Sequence, residues 1–190
     1  MSKLYLMRHG ETYFNIWHKI QGWCDSPLTP NGINQAKAAR EYFLNNHIKF
    51  DKAYCSTSER ASDTLEIVTD KQMAYQRLKG LKEEYFGSFE GQDERLNPQV
   101  PYNAFFVQYG GEDQKDVQKR VFDTISSFMA KDQLNEKVLA VSHAGACFNF
   151  LIAIGVDPQQ FLKKRSGNCS ILVIDYKDEK FKLEDLINPN

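Results

Sequence analysis

Two histidines in this chain stand at the ends of apolar runs. Leu4-Tyr5-Leu6-Met7 leads into Arg8-His9-Gly10, and Val138-Leu139-Ala140-Val141-Ser142 leads into His143-Ala144-Gly145. An apolar run broken by glycine reads as a buried strand that delivers polar side chains to its C-terminal edge. In open α/β sheets that edge is where ligands bind. Arg60 lies shortly after another such run, Ala53-Tyr54-Cys55-Ser56. Parallel strands end on one side of a sheet, so Arg8, His9, Arg60 and His143 are expected around one crevice. Such a buried cluster is costly unless something negative sits in it. Phosphate fits: guanidinium binds it bidentately, and imidazole is a nucleophile. Taken singly, each feature is ordinary. An Arg-His pair often only marks where a strand stops, and a lone His143 reads as a satisfied core histidine. Their convergence carries the argument.

The elements that must hold these groups alternate along the chain. After the first strand a polar loop is expected through Pro27. Thr29 then serves as N-cap and Pro30 as first residue of a helix carrying Ile33, Ala36, Ala39 and Phe43 on one face. The strand at 53–56 precedes a helix with Ala61, Leu65 and Val68. A short strand is expected over 75–78, and a helix through Val117, Val121, Ile125 and Phe128. The clearest strand is 137–142, with a helix from Ala144 to Ile154. Strands over 169–176 and 180–186 close the chain, the last at a sheet edge. This alternation predicts an α/β fold: a three-layer sandwich with a mainly parallel central sheet flanked by helices. Residues 1–190 are expected to form a single domain, with 80–111 as an irregular, glycine- and proline-broken lid over the site.

The composition sets outer limits. The 190 residues include 13 Phe and 9 Tyr, with 42% hydrophobic and 26% charged residues. That is ordinary for a globular protein with a sizeable core. A net charge of −1 provides no field for nucleic acid or an anionic membrane. Cys24, Cys55, Cys147 and Cys169 form no C-x-x-C pair, which argues against a zinc ribbon or redox couple. Buried reduced thiols in a cytoplasmic protein are expected, and the N-terminus does not read as a signal peptide. Val138–Val156 lacks Asp, Glu, Lys and Arg, but its polar centre favours a buried strand, turn and helix over a membrane span. His18 and His47 are expected at the surface. No Asp/Glu/His group has ligand spacing, so no metal is expected. There is no glycine-rich nucleotide loop, so no cofactor is implied. Asn168-Cys169-Ser170 spells a glycosylation sequon that carries no meaning without secretion.

With these residues in place, the sequence resembles the histidine phosphatase superfamily, also called the phosphoglycerate mutase-like family. Arg8-His9-Gly10-Glu11-Thr12 with Asn15 is similar to its signature. Gln21-Gly22, Asp25-Ser26-Pro27-Leu28-Thr29 and Gly32-x-x-Gln35-Ala36 resemble its second block, and Ser56-x-x-x-Arg60-Ala61-x-x-Thr64 its third. Leu81-Lys82-Glu83-x-x-Phe86-Gly87-x-Phe89-Glu90-Gly91, Gly110-Gly111-Glu112 and Val141-Ser142-His143-x-Gly145 follow in order. The resemblance implies a phosphohistidine mechanism with His9 as nucleophile. Arg8, Arg60, His143 and Asn15 would bind phosphoryl oxygens, and Glu83 would act as general acid and base. It also places Gln21, Gly22 and Ala144 in the phosphate site. Motif spacing selects Glu83 over Glu84, which is expected to be a solvated loop charge. Glu11 and Glu90 either orient neighbours or sit at the rim.

The resemblance leaves several activities open. Mutases of the family carry a longer, basic insertion after the fourth block. Here 92–118 holds only Arg95 and Lys115 as cations, among Asp93, Glu94, Glu112, Asp113 and Asp116. A phosphomonoester phosphatase with a small-molecule substrate is therefore favoured. Cofactor-dependent phosphoglycerate mutase is the alternative, and an inactive phospho-ligand binding module a third reading. The aromatic segment 98–106 is expected to plug into the core rather than to cover a leaving group. The sequence names neither the substrate nor the oligomeric state.

Overall fold

A computed structural model describes residues 1–131, 135–157 and 167–189. Its central sheet has six strands in the order β3-β2-β4-β1-β5-β6. These are β1 (Ser2–Arg8), β2 (Lys52–Ser56), β3 (Gln76–Leu78), β4 (Lys137–Ser142), β5 (Ile171–Lys177) and β6 (Lys180–Ile187). The first four run parallel, and β5 and β6 join antiparallel at one edge. The fold is thus an α/β sandwich with a mixed, mainly parallel sheet.

Side-chain alternation along the strands splits the interior in two. Leu4, Leu6, Val138, Ala140, Leu172 and Ile174 face α4 (Gln114–Met129) and α5 (Ala144–Ala153), where Val121, Ile125 and Phe150 meet them. Tyr5, Met7, Leu139, Val141, Ile171 and Val173 face α2 (Pro30–Asn45) and α3 (Glu59–Val68), where Ala36, Phe43 and Leu65 meet them. β1 and β4 are buried on both faces, which is why they read as continuous apolar runs. Each fully buried aliphatic side chain contributes about 1.5–3 kcal/mol. The register pairs Arg8 with Ser142, so His9 and His143 leave the sheet at the same level.

Thr29 caps α2, its hydroxyl accepting from the Gly32 amide at 2.9 Å. The run 138–156 is β4, a break at His143, then α5. Among the described residues no helix is long and apolar enough to cross a membrane. The four cysteines are unpaired: Cys55, Cys147 and Cys169 are buried and Cys24 is half-buried.

Three local features depart from expectation. The loop after β1 contains a helical turn, α1 (Tyr13–Ile16), nucleated by a capping box between Thr12 and Asn15. Residues 80–111 contain short 3₁₀ turns (Gly87–Phe89, Glu94–Leu96, Val107–Tyr109). The aromatic segment does plug inward, but into a satellite cluster: Phe106 is fully buried with Ile20 and Phe86, apart from both main cores. Tyr102 stays half-buried and lines the cavity described next.

Candidate active site

A cavity of about 230 Å³ opens beyond the C-terminal ends of β1 and β4. His9, just past β1, is 4% exposed on its wall. Its Nδ1 lies 2.7 Å from the Gly10 carbonyl oxygen. A carbonyl only accepts, so Nδ1 carries the proton and Nε2 presents a lone pair. Arg60 Nε donates to that Nε2 at 3.3 Å, in agreement with the same tautomer. Burial, then Arg60 and Arg8, hold the His9 pKa well below its usual 6.5. The imidazole is therefore neutral at physiological pH.

The two arginines differ in their commitments. Arg60 is fully buried in α3. Its fork donates to Cys24 O and Asp25 Oδ1 at 3.0 and 2.8 Å and to Gly22 O at 2.8 Å. It clamps the 22–25 loop and stands at Nε2 of His9, to which its Nε donates. Arg8 lines the cavity, and its buried Nε has no hydrogen-bond partner. A buried guanidinium nitrogen without an acceptor is costly unless an anion supplies one. His143 lies behind His9, with ring centroids 5.2 Å apart. Its Nε2 pairs with Ser56 Oγ at 2.8 Å and its Nδ1 is buried without a partner. Burial first, then Arg60, keep its pKa well below 6.5.

Asn15, Gln21 and Ala144 also line the cavity. Asn15 Oδ1 accepts from the Thr12 amide at 3.0 Å and from Asn168 Nδ2 at 3.2 Å, which leaves its Nδ2 as the half available to a ligand. Gln21 is held between Thr12 Oγ1 and Ser26 Oγ. Gly22 stands back from the cavity, its amide donating to Glu90 and its carbonyl accepting from Arg60. Among the described residues no group of three or more His, Cys, Asp and Glu side chains is placed to hold a metal ion.

Both adjacent carboxyls line the cavity. Glu83 Oε1 accepts from the Glu84 amide at 2.9 Å, and Oε2 accepts from the Gly145 amide at 2.8 Å. A Cβ at Gly145 would lie inside van der Waals distance of Glu83 Oε1, so a larger residue there would displace the carboxylate. Burial raises the Glu83 pKa above 4.5, against the lowering pull of those two amides. Glu84 corrects an expectation: it is not a solvated loop charge but 1% exposed. Its pKa is pushed up to about 8 by burial and then by the charges of Glu83 and Glu112. A buried carboxyl survives by holding its proton, which spacing alone does not reveal. Of the two, Glu83 is the one whose charge acts most on Arg8.

This arrangement agrees with what the chain resembles across known proteins. The model of the histidine phosphatase superfamily (branch 1) matches residues 4–189. The chain belongs to that superfamily. This superfamily member is 27% identical to the "Uncharacterized phosphatase PhoE" of Bacillus subtilis, over 97% of the chain and 94% of that protein. A 2,3-bisphosphoglycerate-dependent phosphoglycerate mutase of Bacteroides fragilis is 32% identical over 136 residues, 70% of the chain and 51% of the mutase. The chain thus spans about half the length of that curated relative. Among solved structures, a mutant phosphoserine phosphatase of Entamoeba histolytica in complex with phosphoserine superposes with a TM-score of 0.82. It is 28% identical, with 100% of this chain and 98% of that one covered.

Arg120, Trp23 and Asn168 help build the site without a signal in the sequence, whereas Glu90 and Glu11 stand in its motifs. Arg120 of α4 donates to the carbonyls of Gly80, Lys82 and Glu83 and pairs with Glu112, fixing the backbone that carries Glu83. Trp23 Nε1 donates to the Glu83 carbonyl as well, at 3.0 Å. Glu90 accepts from the amides of Gly22, Trp23, Cys24 and Phe86, so it orients neighbours. Glu11 does the same for Thr29 and Asn31. Asn168, read only as part of an idle sequon, donates to His9 O and Asn15 Oδ1. His18 and His47 are exposed, and His18 pairs with Glu94 at 2.6 Å. The signals for Glu90 and Glu11 were in the motif blocks. For Asn168 and Arg120 only three-dimensional proximity supplies one.

Proposed function

We propose that this chain is a metal-independent phosphomonoesterase working through a phosphohistidine on His9. The observation that carries the reading is the fixed tautomer: Gly10 holds the proton on Nδ1, so Nε2 carries the lone pair, accepting from Arg60 Nε in a ring that lines the cavity with Arg8. Nε2 attacks phosphorus and the bond from phosphorus to the ester oxygen breaks. The Glu83 proton goes to that leaving oxygen. Glu83 then takes a proton from water as the water attacks phosphorus. The phosphorus–nitrogen bond breaks, and His9 returns to the neutral form. Arg8 and the Asn15 amide hold the phosphoryl oxygens as negative charge shifts among them, with the Ala144 amide at the α5 N-terminus and Gln21 beside them. Arg60, donating to the attacking nitrogen, and His143 flank His9, and Gly22 holds the loop clamped by Arg60. Residues 80–111, as part of the same single domain, supply the cover over the leaving group.

An aryl phosphate is expected to be hydrolysed without added metal, with the rate unchanged in chelator. Loss of activity on chelation and recovery with a divalent ion would sink the mechanism. A binding-only role is excluded by the same release of phosphate.

The Bacteroides relative makes mutase chemistry the second reading. Within 92–118 the residues that line the cavity are Glu94, Asn97 and Tyr102, and Arg95 is tied to Asp93 and exposed. Lys19 is the cation on the wall besides Arg8. The 92–118 segment thus offers the carboxylate of a phosphoglycerate no cation, and sets Glu94 against Lys19. Isomerisation of 3-phosphoglycerate, primed with bisphosphoglycerate, is expected to be far slower than phosphate release. A coupled assay in which isomerisation is faster would reverse this ranking.

A further inference from the structure

Two oxygen atoms of cavity-lining residues have no donor. Glu84 Oε1 and Asn97 Oδ1 are buried and unpartnered among the described residues. Both are acceptors when the carboxyl is ionised, and a buried acceptor left unpaired is costly. The natural occupant therefore brings hydrogen-bond donors. Glu94 on the same wall, which also pairs with His18, adds negative charge against the cation Lys19. An ammonium offers three donors and a compensating charge, a hydroxyl only one donor, and a carboxylate none. The cavity, at about 230 Å³, is smaller than a drug-sized site of about 300–1,000 Å³, so the molecule it takes is small.

We propose that Glu84 and Asn97 form a leaving-group subsite for a primary ammonium, making phosphomonoesters of small amino alcohols the preferred substrate class. The substrate assignment rests on the phosphomonoesterase reading; the ammonium site does not. Glu84 faces Glu83, Glu112 and Asp113, with Arg120 as the opposing cation. With its pKa pushed up to about 8, the carboxyl keeps its proton at neutral pH while the site is empty. An arriving ammonium displaces that proton to solvent and leaves a carboxylate–ammonium pair, so charge balances.

The test uses phosphonates, whose phosphorus–carbon bond is not turned over. Calorimetry at neutral pH, in buffers of differing ionisation enthalpy, compares 3-aminopropylphosphonate with butylphosphonate and 3-hydroxypropylphosphonate. The amine is expected to bind about tenfold or more tighter than either, as a charge-assisted hydrogen bond predicts. It is also expected to release additional protons, approaching one per site. Glu84→Gln removes both the preference and the additional protons. Asn97→Ala weakens the preference and keeps the proton release, which tests the subsite even if the Glu84 variant fails to fold. Equal affinity for all three ligands overturns the proposal. So does a preference that survives both substitutions, and equal binding of amine and hydroxyl makes this a polyol site instead. An aryl phosphate assay on the same preparation separates the two ideas: no hydrolysis sinks the catalytic reading and leaves the binding comparison intact.

Discussion

His9→Ala is expected to lower kcat by about 10⁴-fold or more, the scale seen when a covalent nucleophile is removed. It should also abolish the acid-labile, base-stable phosphoryl label expected on the intact protein. The expectation rests on geometry that no other side chain duplicates among the described residues. His143 is the rival imidazole, but it is fully buried and, unlike His9, does not line the cavity, and its Nε2 is engaged by Ser56. A label that persists in His9→Ala, or that maps to His143, would reassign the nucleophile. The pH profile supplies a second check. Burial and two guanidinium groups lower the His9 pKa, so the neutral form persists as pH falls through 6.5. The acid limb of kcat/KM set by this group should therefore lie below 6.5. A limb centred at or above 6.5 would mean that the imidazole titrates as a solvated histidine. The sign for stability follows from the same shift. The unfolded chain binds a proton at this histidine before the folded one does, so stability falls as pH drops below 6.5.

The sequence exposed the parts of this site that interrupt a pattern. β1 and β4 are apolar runs ended by Arg8-His9 and His143, and such a boundary is visible without coordinates. The edge strand β6 and the Thr29 cap of α2 were legible for the same reason: each is a local rule obeyed locally. What stayed hidden depends on depth and distance. Glu84 neighbours Glu83 in the chain, and its burial and the charges of Glu112, Asp113 and Arg120 around it come from residues far along the sequence. Arg60 was expected to face the crevice, yet only its Nε reaches His9, and its fork is spent on Gly22, Cys24 and Asp25. Which way a guanidinium turns is decided by the loop that offers it carbonyls, and 38 positions separate Gly22 from Arg60. Asn168 reaches Asn15 across 153 positions, and no spacing rule spans that interval. The aromatic segment was rightly read as a plug, but its destination, the satellite around Ile20 and Phe86, required the fold.

Glu83→Gln is expected to reduce kcat by about 10²–10⁴-fold, the usual contribution of a general acid–base group. The substitution keeps the shape of the side chain and an oxygen able to accept from Gly145, while removing the exchangeable proton. The fall should depend on the leaving group. An aryl phosphate departs almost without protonation, so its first step proceeds in the variant. An alkyl phosphate needs the proton and should be slowed far more. Water attack on the phosphohistidine still lacks a base, so the intermediate should accumulate and an aryl substrate should show a burst of phenol in a single turnover. Glu84→Gln, assayed with the same aryl phosphate, should cost less. Its carboxyl interacts chiefly with Glu83, Glu112 and Arg120, whereas Glu83 spans the Gly145 amide and the field of Arg8. Two buried carboxyls one residue apart nevertheless make the assignment a contest that kinetics must decide. If Glu84→Gln is the more damaging change, and Glu83→Gln shows neither the burst nor the leaving-group dependence, then Glu84, already holding its proton at neutral pH, is the acid.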